Sequence, residues 1–274
     1  MKTINLPRIV FALIFTPIFF MLIGCSDDDI TSSVEQDILI DKYYFGYMHY
    51  PNLNVLNQGR FFLVDIDYDK QNRILRRNGG LIQMSSSSGY DYIFSKEIYD
   101  SVSYNSNSIS VERKVSSSSF EIPKFKRSLF LNSERKVAYK VIETTSPISK
   151  DTLTYQYNAI GKIVKSFTSN PLNQEESFFY YNSKHNLDSI TTLYYFGAQL
   201  EKKVLEVFRK YDSSINPLKN LYQFEETFYR SLSENNYSEY EKRVYDFNNK
   251  VISIEQHTWD FIYDENGVIR FDIL

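Results

Sequence analysis

Apolar and polar residues exchange places at every second position along most of the chain, in short runs broken by Asx, Gly and Ser. That is the period of a strand with one buried face. The clearest run is Thr154 to Phe167, TYQYNAIGKIVKSF. Tyr155 and Tyr157 fall on one face, Asn158 opens a turn, Gly161 tolerates φ > 0, and Ile163 to Phe167 starts a return strand. The run predicts a β-hairpin.

The same pattern recurs when the chain is aligned on the residue before an Asp or Asn: Tyr68, Tyr104, Leu131, Tyr157, Tyr181, Tyr211, Tyr245 and Tyr263. Six residues on stands an apolar residue: Ile74, Val137, Ile163, Leu187, Val251 or Ile269. The Tyr104 copy is one residue shorter, reaching Ile109, and the Tyr211 copy one longer, reaching Leu218. Four residues on, where positive φ is expected, stand Asn72, Arg135, Gly161, His185, Asn249 and Gly267. Two residues before the anchor, Arg209 and Arg243 replace an otherwise apolar position. The copies predict an all-β chain of consecutive antiparallel hairpins, each burying an aromatic face against its neighbours. Asp41 to Tyr50 reads as a first strand broken by Pro51-Asn52, and Arg60 to Tyr68 as the next, with Val64, Ile66 and Tyr68 on one face. No stretch shows a helical period, although Leu221 to Arg243 is charged enough to hold a short helix.

The N-terminus follows a different pattern. Lys2 and Arg8 precede an apolar run, Ile9 to Ile23, too short to span a bilayer and interrupted by Pro17. Leu22-Ile23-Gly24-Cys25 then resembles a bacterial lipobox, which implies cleavage after Gly24 and lipidation of Cys25. The expected organisation is a signal peptide at 1–24, a lipidated Cys25 with an acidic tether to residue 40, and one hairpin-repeat domain at 41–274. Cys25 is the only cysteine, so the domain is held by its core and not by an internal disulfide. Ser26-Asp27-Asp28-Asp29 looks like an outer-membrane and surface-export signal. Without residues 1–24 the chain carries 29 Lys and Arg against 34 Asp and Glu. That balance argues against nucleic acid as a partner. The 23 Tyr and 21 Phe favour strands.

The Tyr-Asn/Asp-x-x-Gly/Asn-x-Ile signature resembles the YD repeats of the RHS family in diverged form. With the lipobox, the acidic run and Tyr211-Asp212-Ser213-Ser214-Ile215-Asn216-Pro217-Leu218-Lys219-Asn220, the chain resembles Bacteroidota surface lipoproteins of unassigned function. The resemblance covers most of 60–274. It implies a meander that curls into a barrel-like or half-barrel sheet. True RHS chains are far longer and enclose a toxin, so encapsulation is not implied here.

Candidate chemistry is sparse. Asp65-Ile66-Asp67-Tyr68-Asp69 has the start of a calcium loop, but Lys70 stands where a Gly is needed and Arg76 where a Glu is needed. His49, His185 and His257 share no ligand spacing, so no metal and no cofactor is expected. No G-x-S-x-G, H-E-x-x-H or P-loop string occurs, and no catalytic residue is assigned. Ser101, Thr152 and Ser189, each between an Asp and an aliphatic residue, match the O-glycosylation site of Bacteroidota. Tyr222, Phe224, Phe228 and Tyr229 are candidates to stack on a sugar or a partner, against the alternative of core packing. They follow the irregular Tyr211 copy and lie in the longest aromatic-rich connection, Lys219 to Arg243, which is therefore the first place to look for binding. The leading reading is a lipid-anchored envelope or surface protein, non-enzymatic, that binds a protein or glycan. An accessory subunit of an outer-membrane complex and a hydrolase with a composite site are the alternatives.

Overall fold

One turn, repeated, builds the molecule, and the computed structural model shows it six times with the same bonds. The structure describes residues 38–48, 62–86, 89–116, 122, 124–145, 148–169 and 173–273. In each turn an Asx side chain (Asp69, Asn132, Asn158, Asn182, Asp246 or Asp264) accepts through Oδ1 the backbone N–H groups two and four residues on. The N–H of the third residue donates to the Asx carbonyl. That third residue is Asn72, Arg135, Gly161, His185, Asn249 or Gly267, with φ from 59 to 81°. These are the six positions the spacing marks for positive φ. Left-handed backbone costs a non-glycine residue about 1–2 kcal/mol. Two side-chain bonds of about 1 kcal/mol each offset it, so Arg135 and His185 are held in a conformation they otherwise avoid.

Past each turn a β-bulge sets the register. Tyr68 pairs with Ile74, Leu131 with Val137, Tyr157 with Ile163, Tyr181 with Leu187 and Tyr245 with Val251. Tyr263 and Ile269 form an isolated bridge. The anchor and the apolar residue six on are therefore partners across the hairpin. The recurrence of tyrosine has its own cause. Tyr68 donates its hydroxyl to Ile40 O, Tyr157 to Val137 O and Tyr211 to Leu187 O, and Tyr104 bonds the backbone of Ile74. In three of these four the acceptor is the six-on residue of the preceding copy, so each hydroxyl ties its hairpin to the one before.

The strands are β1 (Lys42–Tyr44), β2 (Leu63–Tyr68), β3 (Ile74–Ser86), β4 (Gly89–Tyr104), β5 (Ser108–Val115), β6 (Phe125–Leu131), β7 (Val137–Thr145), β8 (Ile148–Tyr157), β9 (Ile163–Ser169), β10 (Asn173–Tyr181), β11 (Leu187–Phe196), β12 (Gln199–Tyr211), β13 (Tyr237–Asp246) and β14 (Val251–Thr258). They form one 14-stranded sheet in which each strand pairs with the next, antiparallel throughout. The first strand is shorter than the sequence suggests. After Tyr44 the chain enters a 3₁₀ turn, Phe45–Tyr47, which buries Phe45 and Tyr47. The lipobox Cys25, its acidic run and His49 lie outside the described residues.

At Tyr211 the repeat breaks, and here the spacing misleads. Leu218 is not the start of a return strand. Tyr211 pairs with Tyr237, Asp212 N–H donates to Asn236 O at 3.0 Å, and residues 213–235 leave the sheet. They form a 3₁₀ turn, Lys219–Leu221, and the helix α1, Glu225–Ser231. Seven residues are too few to show a helical period, and tertiary contacts hold them. Asn216 organises the segment: its Nδ2 donates to Arg230 O and Ser233 O, and its Oδ1 accepts Leu218 N–H. Leu218, Leu221, Phe224 and Thr227 have no exposed surface.

This insert explains the curvature. Glu226 on α1 forms an ion pair with Arg77 of β3 and accepts from Tyr43 of β1. Gln223 O accepts from Arg127 of β6, Phe228 packs on Tyr155 of β8, and Tyr229 donates to Glu206 of β12. A helix about 10 Å across touches early and late strands together because the sheet wraps around it. The result is an open, curved, barrel-like sheet. Among the described residues its ends do not pair with each other. Instead the segment after β14 lies against β1: Tyr44 N–H donates to Phe271 O at 2.6 Å, and Trp259 Nε1 donates to Gly46 O at 2.9 Å.

Candidate binding site

A cavity of about 300 Å³ lies between the insert and the inner face of β6 to β10. Three kinds of side chain line it. Leu129, Val137, Ile163 and Leu232 give aliphatic surface; Tyr155, Tyr157, Tyr181, Tyr222 and Phe228 give rings; Arg135, Lys136, Lys140, Lys162 and Lys219 give positive charge. The repeat places most of them. Leu129 and Lys140 are cross-strand partners on one face of β6 and β7. Arg135, Lys136 and Lys162 belong to the turns after Asn132 and Asn158. Gly161 takes its φ of 81° without steric cost, and a Cβ there would displace only the flexible end of Lys136, 2.7 Å away at Nζ.

The cations differ in their partners. Lys136 bonds Glu134 at 2.7 Å. Lys162 bonds one oxygen of Glu234 at 2.6 Å, and Lys219 bonds the other. Burial raises the pKa of Glu234, but these two lysines outweigh it and hold the carboxyl below its ordinary value. Arg135 donates to Ser106 O. Lys140 sits with its Nζ 5.8 Å from the centre of the Phe228 ring, and among the described residues no carboxylate forms an ion pair with it. Burial lowers its pKa, opposed at longer range by Glu225 and Glu175.

The hydroxyls also differ. Tyr157 donates to Val137 O. Tyr181 occupies the equivalent place in the next copy, yet its hydroxyl is buried with no hydrogen-bond partner.

The residues singled out in the sequence are dispersed. Tyr222 and Phe228 line the cavity. Phe224 presents no surface and packs beneath Arg77. Tyr229 turns toward β12, where its hydroxyl donates to Glu206 at 3.2 Å and its ring meets Phe208 edge-on. Ser101, Thr152 and Ser189 are half-buried within β4, β8 and β11, each paired on both sides and away from the cavity. Asp100, beside Ser101, is buried; burial raises its pKa, but Arg113 and Arg77 outweigh that and hold it low. The Asp-x-Asp-x-Asp string is used locally. Asp65 bonds Lys96, Asp67 accepts from Asn78, and Asp69 caps its turn and bonds Arg73. Among the described residues no group of three His, Cys, Asp or Glu is placed to hold a metal.

The cavity lysines escape a reading of motifs because they come from the β6–β7 hairpin, the β8–β9 turn and the insert. One signal marks two of them, Lys136 and Lys162: five residues past the anchor stand Arg73, Lys136, Lys162 and Lys250 in four of the six regular copies.

No protein-family model matches the chain, and no curated protein matches it in sequence. Solved structures do. A porin-like protein from Bacteroides uniformis has 9% identity and a TM-score of 0.46, over 76% of this chain and 80% of that one. A porin-like protein from Bacteroides vulgatus has 9% identity and a TM-score of 0.47, over 76% of this chain and 86% of that one.

Proposed function

We propose that the chain is a lipid-anchored protein of the bacterial envelope that binds a small ligand in the cavity beneath its insert. The observation that carries this reading is the cavity's lining, where ring faces and cations converge. Concave sites with a few placed polar groups are the usual form of a ligand pocket. The described lining residues include no carboxylate and no histidine for acid–base work, which favours binding over hydrolysis. The insert fills the interior with buried Leu218, Leu221 and Phe224, which favours a packed binding domain over an open channel.

A thermal-shift screen of saccharides, carboxylates and peptides tests the reading. At least one class raises the melting temperature of the full chain, and Leu232→Trp, which fills the cavity, removes the shift. Identical responses from both proteins to every class would contradict it. The anchor has its own test: Cys25→Ala moves the protein from the membrane to the soluble fraction, and retention on the membrane would place the anchor elsewhere.

One observation favours a second role as an accessory subunit. β14 is exposed along its whole length, and Val251, Ile252, Ile254 and the adjacent Phe247 leave apolar surface at the free edge of the sheet. Co-purification with a membrane β-barrel that Ile252→Lys abolishes would support it; unchanged co-purification would not.

A further inference from the structure

We infer that the cavity is built for an anionic saccharide, a sugar ring carrying a carboxylate or a sulfate. This rests on the binding reading above and names its ligand class.

Charge comes first. Arg135, Lys136, Lys140, Lys162 and Lys219 line the cavity, and only Glu134 and Glu234 form ion pairs with them. The lining therefore carries excess positive charge. Arg135 and Lys140 are the cations without a direct carboxylate: Arg135 donates to Ser106 O, and Lys140 projects from the inner face of β7 beside the Phe228 ring, with Glu225 and Glu175 at longer range.

The second observation is independent of charge. In this array the anchor tyrosines Tyr68, Tyr157 and Tyr211 give their hydroxyls to a backbone carbonyl of the preceding segment. Tyr181 does not, although its hydroxyl is removed from water. An unpaired buried hydroxyl is unfavourable. It is found at the one anchor tyrosine, besides Tyr157, that lines the cavity. The Tyr181 ring lines the cavity, and once its side chain turns the hydroxyl toward that space a ligand oxygen supplies the bond that the scaffold supplies elsewhere.

The third is shape. Tyr155 and Phe228 lie with ring centres 6.0 Å apart and planes tilted by 40°, and Tyr222 adds a third ring. Such faces cover the C–H face of a sugar, while hydroxyls and cations take its oxygens. An acyl chain would have no use for the buried Tyr181 hydroxyl. The volume, about 300 Å³, is at the small end for ligand sites and suits one or two rings.

Isothermal titration of the full chain with digalacturonate, a sulfated heparin disaccharide and neutral galactobiose tests this. At least one acidic sugar binds about tenfold or more tightly than the neutral one, and which acidic sugar wins identifies the anion. Tyr181→Phe weakens acidic binding roughly tenfold and does not lower the melting temperature, because no internal bond is lost. Lys140→Met removes the preference for acid over neutral. Tyr68→Phe, far from the cavity, lowers the melting temperature and keeps the affinity. Neutral binding as tight as acidic, or wild-type affinities in both Tyr181→Phe and Lys140→Met, overturns the inference. If no sugar binds while another class in the thermal screen shifts the wild type but not Leu232→Trp, the saccharide assignment falls and the binding site stands. If nothing distinguishes wild type from Leu232→Trp, both fall.

Discussion

His185 shows how this chain uses single residues. It occupies the left-handed position of its turn with φ of 61°, and Asn182 holds it there with two backbone bonds. Glycine has no steric cost at that angle. His185→Gly is expected to stabilise the protein by about 0.5–1 kcal/mol, the steric gain reduced by the greater freedom of glycine in the unfolded chain. Urea denaturation measures it, and a destabilised variant would mean that the ring makes a contact of its own. The tyrosines give a paired prediction. Tyr157→Phe loses a bond to Val137 O and costs about 1 kcal/mol, whereas Tyr181→Phe costs nothing measurable. At this scale the sequence is highly legible. Turn position, left-handed residue and partner across the hairpin all follow from local chemistry, and Asn158, Gly161 and Ile163 can be assigned from their neighbours alone. The Tyr181 exception is not legible, because its missing bond depends on the segment packed above it.

At the scale of elements, α1 is short and is held from both ends. Glu226 meets Arg77 and Tyr43. Arg230 donates to Tyr47 O and Tyr237 O and lies over the rings of Tyr237 and Trp259 at 4.1 and 4.7 Å. Removing one side of a buried ion pair leaves the other charge uncompensated, at about 3–5 kcal/mol. Arg77→Met is therefore expected to cost on that order in urea denaturation, and a loss under about 1 kcal/mol would show that the clamp is not needed. The sequence allows a short helix within Leu221 to Arg243 but does not place it, for a physical reason. The helix has too few residues for a period, its caps make no side-chain bonds, and what holds it comes from β1, β3 and the C-terminal aromatics. The spacing to Leu218 imitated a seventh regular turn by accident.

Glu206 adds a pH dependence at the same scale. Burial raises its pKa, while the Tyr240 and Tyr229 hydroxyls that donate to it pull the other way. A carboxyl whose folded pKa lies above its unfolded value stabilises the fold most below the unfolded value and loses that contribution as pH rises through the folded one. The melting temperature of Glu206→Gln relative to wild type should therefore climb between pH 4 and pH 8. A difference that stays constant with pH would contradict the assignment.

For the whole molecule, the sheet and the insert depend on each other. The meander order is legible in the alternation, since consecutive hairpins pair with their neighbours. The radius of the curl is not, because it is set by what lies inside. Replacing 213–235 by a two-residue Asn-Gly turn would restore a regular hairpin between β12 and β13 and remove Leu218, Leu221 and Phe224 from the core. The expected product is strand-rich by circular dichroism but binds a hydrophobic dye and melts without cooperativity; a sharp transition would mean that the sheet closes without its filling. The cavity exists for the same reason, as the space left where sheet and insert do not meet.

The most direct test of the account is residue-resolved NMR shift mapping with a mixed pectin and heparin hydrolysate. Perturbations centred on Lys140, Tyr181, Tyr222 and Phe228 are expected, with the outer face of the sheet silent. Perturbations confined to β14 or to the outer face would contradict it.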